Sequence, residues 1–251
     1  NTAGQAIRVH TVAAKPISLS ERLIFALDLP DPSSARKMVE QLGDAVHFYK
    51  LGLQLAMSGG YFELLDWLAG QGKRIFVDLK FFDVPATVAA AVRNLNNRGV
   101  TFTTVHGNQS IMEAAGAVKG DVKILAVTAL TSLDRGDLDD LGFDCDVRDL
   151  VLSRARRAME AGCDGVIASG LELFALRQAV DDRLLVITPG IRPVDNRAED
   201  DQKRVVTVEQ AFADGADYIV VGRPIRNAPD PRKVAQSIQA TIVKAFAERP
   251  R

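Results

Sequence analysis

What constrains this chain most is a strict alternation. A short β-branched or aromatic run is followed, eight times over, by a longer stretch of helical period. The runs fall at 22–28, 47–52, 74–80, 102–107, 123–130, 165–169, 184–190 and 217–222. The helical stretches fall at 33–42, 59–70, 86–97, 108–118, 147–161, 171–180, 207–213 and 231–247. Strands joined through helices run parallel, and near-continuous apolar runs fit strands covered on both faces. An open doubly wound sheet expects a glycine-rich turn after its first strand. Here that turn is Asp28-Leu29-Pro30-Asp31-Pro32, without glycine. The pattern predicts an α/β fold, a closed (β/α)8 TIM barrel, as one domain over residues 21–251. Residues 1–20 form an N-terminal tail, flexible or a thin cover for the barrel floor. Local punctuation agrees: Asp31 and Pro32 open the first helix, Gly43 closes it, and Thr207 offers a cap to the seventh.

Composition removes several classes of function. Charges nearly cancel, 31 basic against 32 acidic, so the chain is no bulk nucleic-acid binder. With 47% hydrophobic residues it has the makings of a core. The longest apolar runs, Leu23 to Leu27 and Val88 to Val92, are far short of the roughly 20 residues of a membrane span. Cys145 and Cys163 have no C-x-x-C spacing, and residues 1–20 lack a signal-peptide pattern, which together predict a cytoplasmic protein. Seven aspartates in 132–149 lack calcium-loop spacing and read as a solvated acidic loop. His10, His47 and His106 show no metal spacing. Trp67 and the Phe62/Leu65/Leu68 stripe read as helix core.

Barrels of this kind hold their chemistry at the C-terminal strand ends, and here those ends are polar. Asp78 and Lys80 stand two apart on the third strand, so both face inward while Leu79 faces the helices. An inward charge needs partners. Lys50 on the second strand and Asp83 in the following loop can supply them, making a set of two ammoniums and two carboxylates. The alternative is a purely structural salt-bridge network, but buried ion pairs stabilise weakly. A second constellation follows strands seven and eight: Gly190 and Gly222 let a backbone approach a phosphate, and Arg192 and Arg223 add forked donors. The segment from Arg192 to Arg204, with eight charges in thirteen residues, reads as a lid or as a solvated loop, with Gln202 a candidate contact.

These residues carry a family resemblance. From about Leu23 to Val234 the chain resembles the bacterial orotidine 5′-phosphate decarboxylases. The pattern D-x-K-x-x-D-x-P-x-T stands as Asp78 to Thr87. Its companions are Ala26 to Asp28, the K-x-G of Lys50 to Gly52, Thr188 to Pro193, Asp201-Gln202 and Val221 to Ile225. The resemblance implies decarboxylation of orotidine 5′-phosphate to UMP, the last step of UMP synthesis. It assigns Lys80 as proton donor, Asp78 beside the substrate carboxylate, and Lys50 and Asp83 as the rest of the charged network. Asp28 and Lys50 would hold ribose hydroxyls, Thr131 would lie by the pyrimidine, and Arg192, Gln202, Gly222 and Arg223 would serve the phosphate. It implies no cofactor and no metal. It also implies a homodimer in which Asp83 and Thr87 reach the partner's site. Phe82 and Ala86 depart from the His and Asn of many bacterial members, outside the four charges. Rival readings are a metal-dependent sugar-phosphate decarboxylase or aldolase, which tends to carry an acidic residue where Lys50 stands, a Schiff-base aldolase using Lys80, and a non-catalytic phosphate-ligand sensor.

Overall fold

In a computed structural model, which describes residues 15–130, 132–193 and 206–248, parallel strands close into a barrel in sequence order. Among the described residues these are β1 (Leu23–Ala26), β2 (Phe48–Gly52), β3 (Arg74–Phe81), β4 (Val100–His106), β5 (Lys123–Val127), β6 (Gly165–Ile167), β7 (Leu185–Thr188) and β8 (Tyr218–Val221). The helices are α1 (Pro32–Leu42), α2 (Leu53–Ser58), α3 (Tyr61–Gly70), α4 (Pro85–Arg93), α5 (Gln109–Val118), α6 (Arg135–Asp140), α7 (Val147–Glu160), α8 (Gly170–Ala179), α9 (Val208–Ala213), α10 (Arg223–Arg226) and α11 (Pro231–Ala247). The (β/α)8 expectation is met. β8 pairs with β1 through Leu23↔Ile219 and Phe25↔Val221, which seals the ring.

Local chemistry sets the helix ends. The Asp31 side chain accepts from the Ser34 N–H at 2.8 Å at the head of α1, and Pro32 occupies a position that needs no donor. Ala35, Val39 and Leu42 then turn one face inward. Thr207 caps α9 through the Gln210 N–H. Three short helices, α2, α6 and α10, are absent from the periodicity reading because each is too short to show a period. The acidic stretch is one of them. Asp134 and Asp137 close a reciprocal capping box on α6, and Arg135 pairs with Asp144 and Asp146. The α3 stripe also needs correcting. Leu65 and Leu68 are buried, but Phe62 is exposed with the Arg98 guanidinium over its ring, and Trp67 is half-buried beneath Arg36.

Inside the ring, alternate strand residues form a separate apolar cluster: Ile24, Ala26, Phe48, Phe76, Phe102, Leu125, Ile187, Tyr218 and Val220. Phe102 stacks on Phe48 at 5.3 Å and meets Phe76 and Tyr218 edge-on, an aromatic plug worth about 0.5–1.5 kcal/mol per pair beyond its burial. The barrel is therefore solid below its mouth. Ile17, from the segment expected as tail, packs against this plug, while residues 1–14 of that segment lie outside the described residues. Beneath the plug an ion cluster closes the floor. Buried Asp217 accepts from Lys15 at 2.9 Å, from Arg177 at 2.5 Å and from the Val186 N–H at 2.9 Å. Arg177 also donates from Nε to the Gly215 carbonyl and from Nη1 to the Leu184 carbonyl.

Candidate active site

Above the plug the same inward strand positions turn polar. Lys50 projects from β2, and Asp78 and Lys80 from β3. Both ammoniums converge on one carboxylate oxygen: Lys50 Nζ lies 3.1 Å and Lys80 Nζ 3.0 Å from Asp78 Oδ2. The other oxygen, Oδ1, accepts the buried Thr104 hydroxyl of β4 at 2.7 Å. Leu79, between the two charged residues, packs outward against the helix-side core. Burial alone would raise the Asp78 pKa, but the Lys50 and Lys80 charges and the Thr104 and Lys80 hydrogen bonds outweigh it. The carboxyl titrates below its ordinary range. Burial alone would lower the Lys50 pKa, and the Asp78 and Asp28 charges reverse that, leaving it raised. Each group holds the other charged.

The backbone under this cluster is irregular. β3 and β4 pair at Val77↔Thr103 and resume at Phe81↔Val105, so four steps on β3 face two on β4. Within the bulge Lys80 has φ +47°, a left-handed conformation that costs a side-chain-bearing residue about 1–3 kcal/mol. Its N–H donates to Thr104 Oγ1 at 3.0 Å. His106, farther along β4, stacks on Phe82 at 4.5 Å, so its ring is held by an aromatic partner. Burial, then Arg154 and Lys80, lower its pKa.

Two adjoining cavities share this mouth. One, of about 200 Å³, is lined by Lys50, Asp78, Lys80, Leu130 and Ile167. The other, of about 420 Å³, is lined by Asp28, Lys50, Gln54, Gly190, Arg192, Gly222, Arg223 and Arg226. Lys50, Pro189 and Val220 border both, so the two form one elongated depression. Its far end is cationic and backbone-rich: Gly190 takes φ +74°, which a Cβ disfavours, and a Cβ on Gly222 would sit 3.3 Å from that of Ala26. Arg226 also donates to the Asp28 carbonyl at 3.2 Å, tying the β8 loop to the β1 end.

The single chain does not bring Asp83 into the charge cluster. Its side chain is exposed and accepts from the Val84 N–H, and Thr87, on α4, is exposed too. Thr131 and Gln202 lie outside the described residues. Thr104, Gln54 and Arg226 were not singled out from sequence. The signal for Thr104 was present, since period two on β4 puts it on the inward face with Phe102. Arg226 stands one turn beyond Arg223. Gln54 sits on α2, which left no periodic trace. Among the described residues no three His, Cys, Asp or Glu side chains gather as a metal site would require.

Floor and mouth thus hold two buried ion clusters of different character. At the floor, Arg177 and Asp217 are enclosed by carbonyls and N–H groups. At the mouth, Lys80 keeps about a third of its side chain exposed (35%) and faces a cavity. Of the two, the mouth cluster is the one that borders a cavity among the described residues.

A sequence model of the orotidine 5′-phosphate decarboxylase / HUMPS family matches residues 21–238. A Methylococcus capsulatus protein named orotidine 5′-phosphate decarboxylase is 66% identical over 233 residues, 93% of this chain and 96% of that one. A protein of the same name from Stenotrophomonas maltophilia is 52% identical over 94% of this chain and 99% of its own. A crystal structure of orotidine 5′-phosphate decarboxylase from Lactobacillus acidophilus superposes with a TM-score of 0.78 at 34% identity, covering 88% of this chain and 99% of that one.

Proposed function

This chain belongs to the orotidine 5′-phosphate decarboxylase / HUMPS family, and from that premise we propose that it decarboxylates orotidine 5′-phosphate to UMP, the last step of pyrimidine nucleotide synthesis. The observation that carries the reading is the shape and charge of the depression. A Lys–Asp–Lys cluster lines one end, an arginine-rich pocket with glycine backbone the other, and Lys50 borders both. A nucleoside monophosphate has the matching polarity, with a base to be worked on, a ribose between, and a dianion at the far end.

On this reading the C6–carboxylate bond breaks, CO2 leaves, and the electron pair stays on C6 in an orbital that the ring cannot delocalise. The Lys80 ammonium stabilises that pair and donates its proton to C6. Solvent then restores the ammonium. No cofactor or metal is needed, because a fixed positive charge near the developing carbanion does the work. Two ammoniums around Asp78 also oppose a divalent cation there. Asp78 lies against the substrate carboxylate and holds Lys80 charged. Asp28 and Lys50 take the ribose hydroxyls, Thr131 lies by the pyrimidine, and Arg192, Gln202, Gly222 and Arg223 take the phosphate. Phosphate binding far from C6 lowers the barrier through the closure and orientation it drives.

The active form is a homodimer in which Asp83 and Thr87 complete the partner's site. Support comes from their outward placement beside exposed Phe82 and Val84, apolar side chains that a second copy would cover. The cytoplasmic location expected from the sequence belongs to the same proposal; among the described residues no helix is long and apolar enough to cross a membrane. The test is the loss of ultraviolet absorbance when orotidine 5′-phosphate is added in the presence of EDTA. Metal-independent turnover is expected. No turnover, or turnover only after a divalent ion is restored, defeats the proposal.

A further inference from the structure

The bulge between β3 and β4 leaves a gap in the main-chain ladder where the Lys80 N–H should find a carbonyl. The gap is filled by a side chain. Thr104 Oγ1 accepts from the Lys80 N–H at 3.0 Å, and the same hydroxyl gives its one proton to Asp78 Oδ1 at 2.7 Å. The hydroxyl therefore works in one direction only, accepting from main chain and donating to carboxylate. It is fully buried, so water cannot take its place. Its β-branch limits χ1, and the neighbouring Thr103 hydroxyl anchors β4 independently to the Val77 carbonyl at 3.0 Å. Lys80 meanwhile holds a left-handed φ that neighbours must impose.

We propose that Thr104 is a positioning residue: its one hydroxyl fixes the Asp78 carboxylate and the Lys80 main chain together, so that the two opposite charges are aimed as a unit. This rests on the decarboxylase reading for its chemical meaning. It requires no contact between Thr104 and substrate. The side chains hydrogen-bonded to Asp78 are Lys50, Lys80 and Thr104; Asp28 acts on Lys50, and the buried Tyr61 also feels the Asp78 charge. Removing the hydroxyl therefore leaves the two ammoniums as the carboxylate's side-chain partners and frees the Lys80 backbone to relax.

The experiment compares Thr104→Val, which keeps the shape and loses the hydroxyl, with Thr104→Ser, which keeps the hydroxyl. In Thr104→Val, kcat for orotidine 5′-phosphate falls by roughly 10- to 100-fold, the scale of a small misplacement of reacting groups. KM and UMP affinity stay near wild type, and Thr104→Ser recovers most of kcat. The Asp78 carboxyl, followed by carbon-13 NMR, titrates higher in Thr104→Val than in wild type, because it has lost a hydrogen bond that favours its charged form. Thr104→Ser restores the value. Unchanged kcat in Thr104→Val, a loss confined to KM, or a serine variant as poor as the valine overturns the proposal and leaves the decarboxylase reading standing. If wild type itself releases no CO2, that reading falls, and the Asp78 titration still decides: a shift in Thr104→Val alone supports positioning, and equal values in all three refute it. If Thr104→Val does not fold, Thr104→Cys, of similar volume with a weak donor and acceptor, is read by the same kcat-against-KM split.

Discussion

Replacing Lys80 by Ala separates chemistry from stability. The mutation removes an ammonium 3.0 Å from Asp78 Oδ2. At an effective dielectric of 20 that attraction is about 5 kcal/mol. The Lys80 side chain is 35% exposed, however, and water screens and competes for it, so the net loss is about 1 kcal/mol or less. Asp78 keeps Lys50 at 3.1 Å and Thr104 at 2.7 Å, so no buried charge is stranded. At about 2–4 °C per kcal/mol for a chain of this size, Tm falls by at most about 4 °C. Turnover loses both the proton donor, worth about 10²–10⁴, and the charge facing the carbanion, worth about 10²–10³, for a combined drop of roughly 10⁴-fold or more. Asp78→Ala is the control with the opposite balance. It leaves two ammoniums crowded and one of them buried, costing about 3–5 kcal/mol, so Tm falls by roughly 6–20 °C. The assays are absorbance loss with orotidine 5′-phosphate and thermal unfolding. Lys80→Ala turnover within tenfold of wild type refutes the proton-donor assignment. A Tm loss equal to that of Asp78→Ala refutes the screening argument.

Three further outcomes are expected. Arg223→Ala weakens kcat/KM for the nucleotide by about 10- to 100-fold, the loss of a charge-assisted hydrogen bond, and barely alters the slow reaction of orotidine without its phosphate; an equal loss on both substrates removes Arg223 from the phosphate site. Arg177→Met leaves Asp217 with Lys15 and the Val186 N–H but removes a buried charge-assisted hydrogen bond and the partner of the Gly215 and Leu184 carbonyls, and so destabilises the fold by about 1.5–3 kcal/mol in urea unfolding, while kcat/KM at 25 °C stays at wild type; a selective loss of activity would contradict a purely structural floor. Asp78 has a folded pKa below its unfolded value, so its stabilising contribution is complete above about pH 4 and drains away as pH falls through the lower, folded pKa. The stability gap between wild type and Asp78→Asn is therefore constant from pH 7 to about 5 and closes in stronger acid; a gap that closes near neutrality rules out the depressed carboxyl.

Legibility differed between kinds of feature. The barrel could be read because its signals are local and repeated: apolar runs, helical faces such as Ala35/Val39/Leu42, and caps such as Asp31 and Thr207. The inward aim of Asp78 and Lys80 could be read because side chains alternate along a strand. What escaped has a different physical origin. Phe62 belongs to an apolar stripe by spacing, yet it lies at the surface beneath Arg98, because a stripe does not say how wide the covered face is. The helices α2 and α10 carry Gln54 and Arg226 to the cavity, and four to six residues cannot display a period. The floor cluster joins Lys15, Arg177 and Asp217, residues brought together only by ring closure.

By itself the amino-acid order determined the eightfold strand–helix alternation and the face on which each strand carries its charges, since both follow from periods of two and of about 3.6 residues within short windows. Tertiary structure decided which charges touch. It set the bulge that throws Lys80 into a left-handed turn, the threonine on the next strand that bridges it to Asp78, and the joining of two cavities through Lys50. Those depend on register between strands and on closure of the ring, which are relations between distant segments that no local pattern encodes.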